Sequence, residues 1–220
     1  MLIEEAKWFG EKISMMDAAS VFPMCNVGSS TDEFRKRAQP WIDEYIFKPA
    51  RENNRIVEHL DIKNAPGVDI VGDLSDGHYL EELRRMRFKS IFCSNVLEHV
   101  SNREEISKLL TSILPVGGYL FVSCPFKYPF HPDPIDTMFR PNVDELASMF
   151  LGTGICWGDV VTGGTYLDYI TRAKLANGIV RLFRRSTEPG GGASVLTHIP
   201  WLFRNFRATC VVLRKNTEPV

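Results

Sequence analysis

Residues 88–125, FKSIFCSNVLEHVSNREEISKLLTSILPVGGYLFVSCP, decide the fold, because they give a strand, a helix and a second strand in close succession. Residues 88–95 form a short apolar run that is typical of a strand buried in a parallel sheet. Apolar residues between 106 and 114 recur at i, i+3, i+4, i+7 and i+8, which predicts one apolar stripe on a helix. Residues 119–124 are predicted as the second strand, with Pro125 ending it. Because such a strand–helix–strand unit is right-handed and parallel, the sequence predicts an α/β fold.

The composition excludes several classes of protein. The chain has 220 residues, of which 44% are hydrophobic and 24% charged, and this is typical of one globular domain. Its net charge of −1 gives no indication of nucleic-acid binding. No run approaches the roughly 20 apolar residues of a membrane span. The acidic start, MLIEEAKWFG, is not typical of a signal peptide.

The cysteines indicate a reducing environment. They are odd in number and no two are spaced as CxxC. Three of them fall in predicted buried strands, where cysteine acts as a small apolar residue. The pattern favours neither a structural disulfide nor a zinc site, so we expect no metal and a cytoplasmic protein. The cysteines are Cys25, Cys93, Cys124, Cys156 and Cys210.

The remaining chain is predicted as one domain with an insertion. Further strands are expected at 18–27, 55–62, 68–71, 154–165 and 206–215, and helices at 2–16, 77–87 and 142–150. Residues 166–205 are predicted as an inserted helix (167–183) and a glycine-rich flap between the last two strands. No internal repeat is visible.

The turn after the first predicted strand argues against a dinucleotide. Gly28 allows the backbone to come close to a ligand. In a GxGxxG fingerprint starting at Gly28, however, the second and third glycines would be Ser30 and Glu33. Asp32 and Glu33 at the start of a helix would also repel a pyrophosphate. The turn therefore disfavours NAD and favours a ligand without phosphates there; an ordinary strand-to-helix turn is the alternative.

Two motifs in the central stretch resemble those of a known family. Residues 94–100, SNVLEHV, followed by residues 114–120, LPVGGYL, resemble the fourth and fifth motif regions of class I S-adenosylmethionine (SAM) dependent methyltransferases, and are closest to the type 11 branch. The resemblance implies a Rossmann-like seven-stranded sheet in the order 3-2-1-4-5-7-6, with an antiparallel last strand and helices on both faces. It also implies SAM as cofactor, which has no phosphate and tolerates acidic neighbours.

The resemblance also implies which residues bind the cofactor. Asp61, at the end of the second strand, takes the place of the acid that binds the ribose hydroxyls, although a solvated strand-end aspartate is the alternative. Asp73 and the backbone of Leu74 would lie beside the adenine. At Asn26 the family usually carries an acid, and at Ser30 a glycine. The other residues expected at this site are Gly28, Ser29, Ile62, Ser94, Asn95 and His99.

The proline-rich loop 126–140 carries the predicted catalytic residues. It leaves the carboxyl end of a parallel strand, the edge at which such sheets bind ligands, and it resembles a loop of methyltransferases that act in glycan and lipid modification. His131 is the expected general base, because its ordinary pKa lies near neutrality. Asp136 would orient it or bind acceptor hydroxyls, and Arg140 would hold an anionic group. The alternatives are a rigid loop in which Asp136 pairs with Arg140, and His99 as the base.

Methyl transfer to an oxygen or nitrogen of a small-molecule, glycan or lipid-linked acceptor is the favoured function. A non-catalytic binding or scaffold protein of the same fold is a second hypothesis. A third is a peripheral membrane partner, because basic and aromatic residues alternate within 181–207. A solvated basic face with inward aromatics would give the same pattern.

Overall fold

A seven-stranded mixed sheet forms the centre of the molecule. The computed structural model describes residues 1–74, 77–133, 135–168 and 199–217. The strand order is β3-β2-β1-β4-β5-β7-β6. Strands β1 to β5 pair in parallel, whereas β7 runs antiparallel to β5 and β6. The order and the antiparallel last strand confirm the prediction. The strands are β1 Met24–Val27, β2 Val57–Asp61, β3 Ile70–Val71, β4 Ser90–Ser94, β5 Tyr119–Lys127, β6 Thr153–Thr162 and β7 Arg207–Lys215.

Helices cover both faces of this sheet, as predicted. In the described part of the chain they are α1 Ile3–Ser14, α2 Ala18–Val21, α3 Pro40–Ile42, α4 Lys48–Glu52, α5 Gly77–Arg85, α6 Arg103–Ile113 and α7 Val143–Ser148. Two π-helical segments, Phe34–Ala38 and Asp43–Phe47, flank α3, and Leu97–His99 and Ile199–Leu202 form 3₁₀ turns.

The alternation of side chains along the strands explains why two cores form. Ile91 and Cys93 of β4 face the core that α5, α6 and α7 cover. Phe92, between them, faces the other core, where α1 and the residues around α3 pack. Successive residues of a strand point to opposite faces. A strand whose central positions are all apolar, such as 91–93 of β4, is therefore buried on both sides.

Two predictions about element boundaries were wrong. Residues 18–21 are helical because Asp17 caps α2, accepting a hydrogen bond from the amide of Ala19 at 3.2 Å; β1 therefore starts at Met24. Pro125 does not end β5, because it lies at a register shift against β7, where a proline disturbs the ladder least. The predicted helix 167–183 and the flap lie almost entirely outside the described residues.

Candidate functional site

The carboxyl ends of β1, β2, β4 and β5 meet at one edge of the sheet. Val27 of β1 is in register with Leu60 of β2 and with Cys93 of β4, and Ser94 is in register with Ser123 of β5. The segments that follow these residues therefore come together at the edge where open parallel sheets bind ligands. The predicted cofactor residues lie near the ends of β1 to β4.

A buried arginine fixes the turn after β1. Arg35 is 3% exposed. Its guanidinium donates to the carbonyl oxygens of Ser29 at 2.8 Å, Ser30 at 2.7 Å and Gly67 at 2.6 Å. Burial lowers the pKa of Arg35, and the neighbouring Asp32 opposes that shift. Charge-assisted bonds to three carbonyls make this turn rigid.

Close packing explains why a glycine stands at position 28 of this turn, and a hydrogen bond explains the buried asparagine at position 26. Gly28 has a φ of +65°, and a Cβ there would lie 2.5 Å from Cγ2 of Val96. Asn26 is buried, with its amide nitrogen 3.0 Å from Nδ1 of His59 on the neighbouring strand. Burial, together with the charge of Arg35, lowers the pKa of His59 to about 4. Asn26 thus donates to a neutral imidazole, and its amide is already engaged.

Asp61 connects the end of β2 to the turn after β1. It is 7% exposed, and its Oδ2 accepts the amide of Ser30 at 2.7 Å while its Oδ1 accepts the amide of Lys63 at 3.0 Å. Each carboxylate oxygen has two lone pairs, so each retains one for a further donor. Ile62 beside it is 68% exposed and offers apolar surface. The arrangement suits a ligand with hydroxyls next to a flat apolar group.

The start of the helical segment after the turn is already capped. Thr31 Oγ1 accepts the amide of Phe34 at 3.1 Å, and the amide of Asp32 donates to the carbonyl of Pro66 at 2.9 Å. The Asp32 carboxylate lies 2.7 Å from Nζ of Lys36. These groups occupy the place where a pyrophosphate would bind in a dinucleotide fold. That the turn disfavours NAD stays a prediction.

Of the two residues after β3 that were predicted to lie beside the adenine, one is exposed and the other packs into the core. Asp73 is exposed, whereas Leu74 is 7% exposed and packs into the core of the sheet. The Leu74 side chain is therefore a core residue, and only its backbone remains for the adenine role that the sequence predicted.

A carboxylate that the sequence analysis missed lies at the ends of β4 and β5. Glu5 of α1 is 1% exposed. Its Oε1 accepts hydrogen bonds from Ser94 at 3.0 Å, Asn95 at 2.8 Å and Ser123 at 2.5 Å, and its Oε2 accepts the amide of Leu2 at 2.9 Å. Glu5 therefore engages the side chains of Ser94 and Asn95, both predicted to bind the cofactor.

A second missed carboxylate lies beside the predicted catalytic histidine. The side chain of Glu98 is 0% exposed, and neither carboxylate oxygen has a hydrogen-bond partner among the described residues. Burial raises its pKa to about 8. Nε2 of His99 lies 3.7 Å, and Nε2 of His131 4.0 Å, from its Oε1. The structure thus brings the two rival bases together around Glu98.

Carbonyl and carboxylate oxygens fix the orientation of both imidazoles. Nδ1 of His99 lies 2.6 Å from the carbonyl oxygen of Ile135. Nδ1 of His131 lies 3.2 Å from the carbonyl oxygen of Pro129 and 3.1 Å from Oδ2 of Asp136. These oxygens only accept, so each Nδ1 carries the hydrogen, and each neutral ring keeps its lone pair on Nε2. Both Nε2 atoms therefore present a lone pair on the side of Glu98.

Asp136 and Arg140 pair with each other, as the alternative reading of the loop predicted. Two guanidinium nitrogens of Arg140 lie 3.1 and 2.7 Å from the two oxygens of Asp136. Burial by itself would raise the pKa of Asp136, but this pair and the amides of His131 and Met138 hold it well below its usual range. The pair stiffens the loop, and Asp136 also contacts the ring of His131, whose orientation by Asp136 stays a prediction.

Little in the sequence could have revealed the two missed carboxylates. Glu5 lies in an acidic helix start and is brought to the strand ends only by the docking of α1. Glu98 belongs to the SNVLEHV motif, but a glutamate there gives no sign of burial. The only sequence feature that could have drawn attention to Glu98 was the adjacent His99.

Solved structures that superpose on this chain include proteins described as methyltransferases and one described as a cyclase. The chain matches no protein-family model, and no curated protein matches it. Coclaurine N-methyltransferase superposes with a TM-score of 0.59 at 13% identity, over 96% of this chain and 69% of that one. A putative sarcosine dimethylglycine methyltransferase from Galdieria sulphuraria gives 0.56 at 10%, over 96% and 85%. The [4+2]-cyclase SpnF gives 0.56 at 13%, over 94% and 81%.

The sheet order and these similarities define a Rossmann-like SAM-methyltransferase fold. At such low identity the similarity concerns the fold, and the cyclase demonstrates that this fold serves more than one reaction. Function must therefore be argued from the residues at the carboxyl edge.

The predicted membrane-contact segment, 181–207, is described only from residue 199 onward. There Trp201 stacks on the buried Phe206, with ring centroids 5.7 Å apart, whereas Phe203 is 75% exposed. No helix within the described ranges is long and apolar enough to cross a membrane. The described aromatics of this segment thus divide between the core and the surface.

Proposed function

We propose that the chain is a SAM-dependent methyltransferase of the type 11 branch that acts on a small-molecule acceptor. The supporting observation is Asp61, a buried carboxylate at the end of β2 with lone pairs to spare, in a sheet of SAM-methyltransferase topology. A cytoplasmic, reducing setting is part of the proposal, because the five cysteines are free thiols. The proposal includes glycan and lipid-linked acceptors, because the loop 126–140 resembles a loop of methyltransferases that act in glycan and lipid modification.

The proposed cofactor site extends from the turn after β1 to the end of β4. The rigid turn at Gly28, Ser29 and Ser30 offers backbone groups, Asp61 accepts the ribose hydroxyls, and the exposed Ile62 contacts the adenine. SAM brings a sulfonium-bound methyl group, which is a ready electrophile. The chain's contribution is to hold the acceptor in line with that methyl group, and such positioning is worth several kcal/mol of the barrier.

The acceptor side is assigned to the loop after β5. The acceptor heteroatom attacks the methyl carbon, the carbon–sulfur bond breaks with its electron pair left on sulfur, and the heteroatom loses a proton. We assign the loss of that proton to His131, whose Nε2 carries a lone pair. Asp136 and Arg140 act as positioning residues, because they hold the ring and the loop. General-base assistance is typically worth about 10²–10⁴-fold in rate.

Calorimetry with Asp61→Ala tests the proposal on the cofactor side. Wild-type protein is expected to bind SAM, and the variant to bind it about 10- to 150-fold more weakly, because charged hydrogen bonds contribute roughly 1.5–3 kcal/mol. Asp159→Ala, at the exposed far strand β6, is the matched control and should bind as wild type does. Unchanged affinity in folded Asp61→Ala would remove Asp61 from the site. Wild-type protein without SAM affinity would contradict the function itself.

A non-catalytic binding or scaffold protein is the second candidate function. The Glu5 network favours it, because α1 fills the ends of β4 and β5 where the cofactor was expected. The same calorimetry decides between the two, since a scaffold of this kind would bind no SAM.

A further inference from the structure

We propose that Glu98, His99 and His131 form a binding site for a divalent transition-metal cation of the zinc type. One ligand atom of each residue lies within 4.8 Å of the other two. A carboxylate with two imidazoles is a donor set that such cations prefer. The sequence analysis predicted no metal, because the cysteines offered none and the three residues are far apart along the chain.

The strongest support is the buried carboxylate of Glu98. Its side chain is fully buried, yet within the described chain neither of its oxygens meets a hydrogen-bond donor. Burying a carboxylate without a partner is costly. The imidazole nitrogens at 3.7 and 4.0 Å are too distant for hydrogen bonds. A cation between these atoms would supply the missing partner.

The orientation of both imidazoles supports the same site. Each Nδ1–H is directed at an acceptor: the Ile135 carbonyl for His99, and the Pro129 carbonyl with Asp136 for His131. Metal-binding histidines characteristically donate their other N–H to a carbonyl or carboxylate, which fixes the tautomer. Both Nε2 lone pairs are therefore available to a cation.

The backbone holds the three ligands in place. The carbonyl oxygen of Glu98 accepts the amide of Thr137 at 2.9 Å and its hydroxyl at 3.0 Å. Thr137 follows the segment whose Ile135 carbonyl holds His99, and whose Asp136 contacts His131. One short stretch thus positions every ligand, as a preformed site requires.

The three ligand atoms must move closer together to bind one cation. A tetrahedral zinc ion with ligands at about 2.0–2.2 Å separates neighbouring ligand atoms by roughly 3.3–3.5 Å. The two nitrogen-to-oxygen distances, 3.7 and 4.0 Å, exceed this by a few tenths of an ångström, and the third pair of ligand atoms lies within 4.8 Å, so binding requires rotations of the imidazole side chains. The imidazoles are 17% and 25% exposed, so the cation would keep an open position toward solvent. Three protein ligands with an open position are typical of catalytic rather than structural metal sites.

The open position suggests how the site would act, and this part rests on the proposed methyl transfer. A hydroxyl oxygen is a suitable fourth ligand, and coordination lowers its pKa. The acceptor would then be an alcohol or phenol rather than an amine. With Nε2 bound to the cation, His131 would replace its role as general base by that of a ligand, and the proton of the coordinated hydroxyl would pass to solvent at the open side of the site.

Metal binding tests the site without any substrate. Full-length protein carrying Cys156→Ser, which removes the exposed thiol, is stripped with a chelator and titrated with Co²⁺ and with Zn²⁺. We expect one saturable site and visible cobalt absorption that azide shifts by taking the open position. No saturable binding of either ion would overturn the proposal, and a spectrum unchanged by azide would overturn the open position.

Variants identify the ligands. Glu98→Gln and His99→Asn should each weaken binding of Zn²⁺ at least 10-fold, because loss of a ligand costs no less than loss of its supporting partner. His59→Asn, a histidine outside the cluster, is the control and should bind as the parent does. Wild-type affinity in both cluster variants, with circular dichroism confirming their folds, would overturn the site. SAM affinity of the stripped protein is measured separately, so a failed metal site and a failed cofactor site are distinguishable.

Discussion

At the scale of the residue, buried polar side chains carry most of the information about function. Asp61, Glu5 and Glu98 are each at least nine-tenths buried, but their surroundings differ. Asp61 and Glu5 accept hydrogen bonds, whereas Glu98 meets no donor within the described chain. A satisfied carboxylate stabilises its neighbours, whereas an unsatisfied buried one calls for an explanation, such as a bound ion or a catalytic role.

Also at the scale of the residue, the protonation of His59 predicts how the stability of the fold decreases in acid. Its folded pKa of about 4 lies below the ordinary 6.5, so the unfolded chain takes up a proton first as the pH falls. The contribution of neutral His59 to the free energy of unfolding is therefore complete above pH 6.5 and is lost as the pH falls toward 4. Urea unfolding at pH 7 and pH 5 should show wild type losing about 1–2 kcal/mol more than His59→Asn. Equal losses in the two proteins would contradict the assignment.

At the scale of the element, helix α1 is held to the sheet by Glu5 as well as by its apolar face. Ala6 and Phe9 bury completely against the core. Glu5, on the same face, reaches the ends of β4 and β5 through three side-chain hydrogen bonds. The position of α1 over the proposed cofactor edge thus depends on one carboxylate.

Replacing Glu5 tests this docking. Glu5→Ala leaves the buried donor of Ser123 and the half-buried donors of Ser94 and Asn95 without their acceptor, and should lower the free energy of unfolding by about 1–3 kcal/mol. Glu11→Ala, on the exposed side of the same helix, is the control and should change stability by less than about 0.5 kcal/mol. Denaturant melts of both variants measure the difference. Comparable effects of the two would show that Glu5 does not anchor the helix.

At the scale of the whole molecule, one of the two cores is built around aromatic rings that pack on one another. Phe92 and Phe121, on neighbouring central strands, stack at a centroid distance of 6.4 Å, and Phe9 meets Phe92 edge-on at 5.0 Å. These rings are almost wholly buried. Aromatic packing of this kind should dominate the stability of the fold.

Phe92→Ala should therefore be among the most damaging substitutions in the chain. It removes a ring that is 2% exposed, and such truncations cost about 3–5 kcal/mol through lost burial and the cavity left behind. Phe203→Ala, at 75% exposure, is the matched control and should alter unfolding by under about 0.5 kcal/mol. If thermal melts gave similar shifts for both, the assigned core would be wrong.

The sequence by itself indicated the central strands and helix through local patterns, and the order of the strands through its resemblance to a known family. The apolar run of β4, the helical stripe of α6 and the glycines before β5 each depend on residues close in the chain. The resemblance carried by SNVLEHV and PVGG then supplied the strand order. Local patterns failed where a side chain overrode them, as Asp17 does at α2, or where a partner strand extended β5 past Pro125.

Only the tertiary structure decided what surrounds the site residues. It paired Asp136 with Arg140, engaged Asn26 with His59, and brought Glu5 to Ser94 and Asn95 from 89 and 90 positions away. It also placed His131 beside Glu98. Sequence patterns report periodicity within one element, whereas burial and pairing depend on which elements pack together. The chemistry of this edge arises from contacts between distant segments, so it became visible only when the chain was folded.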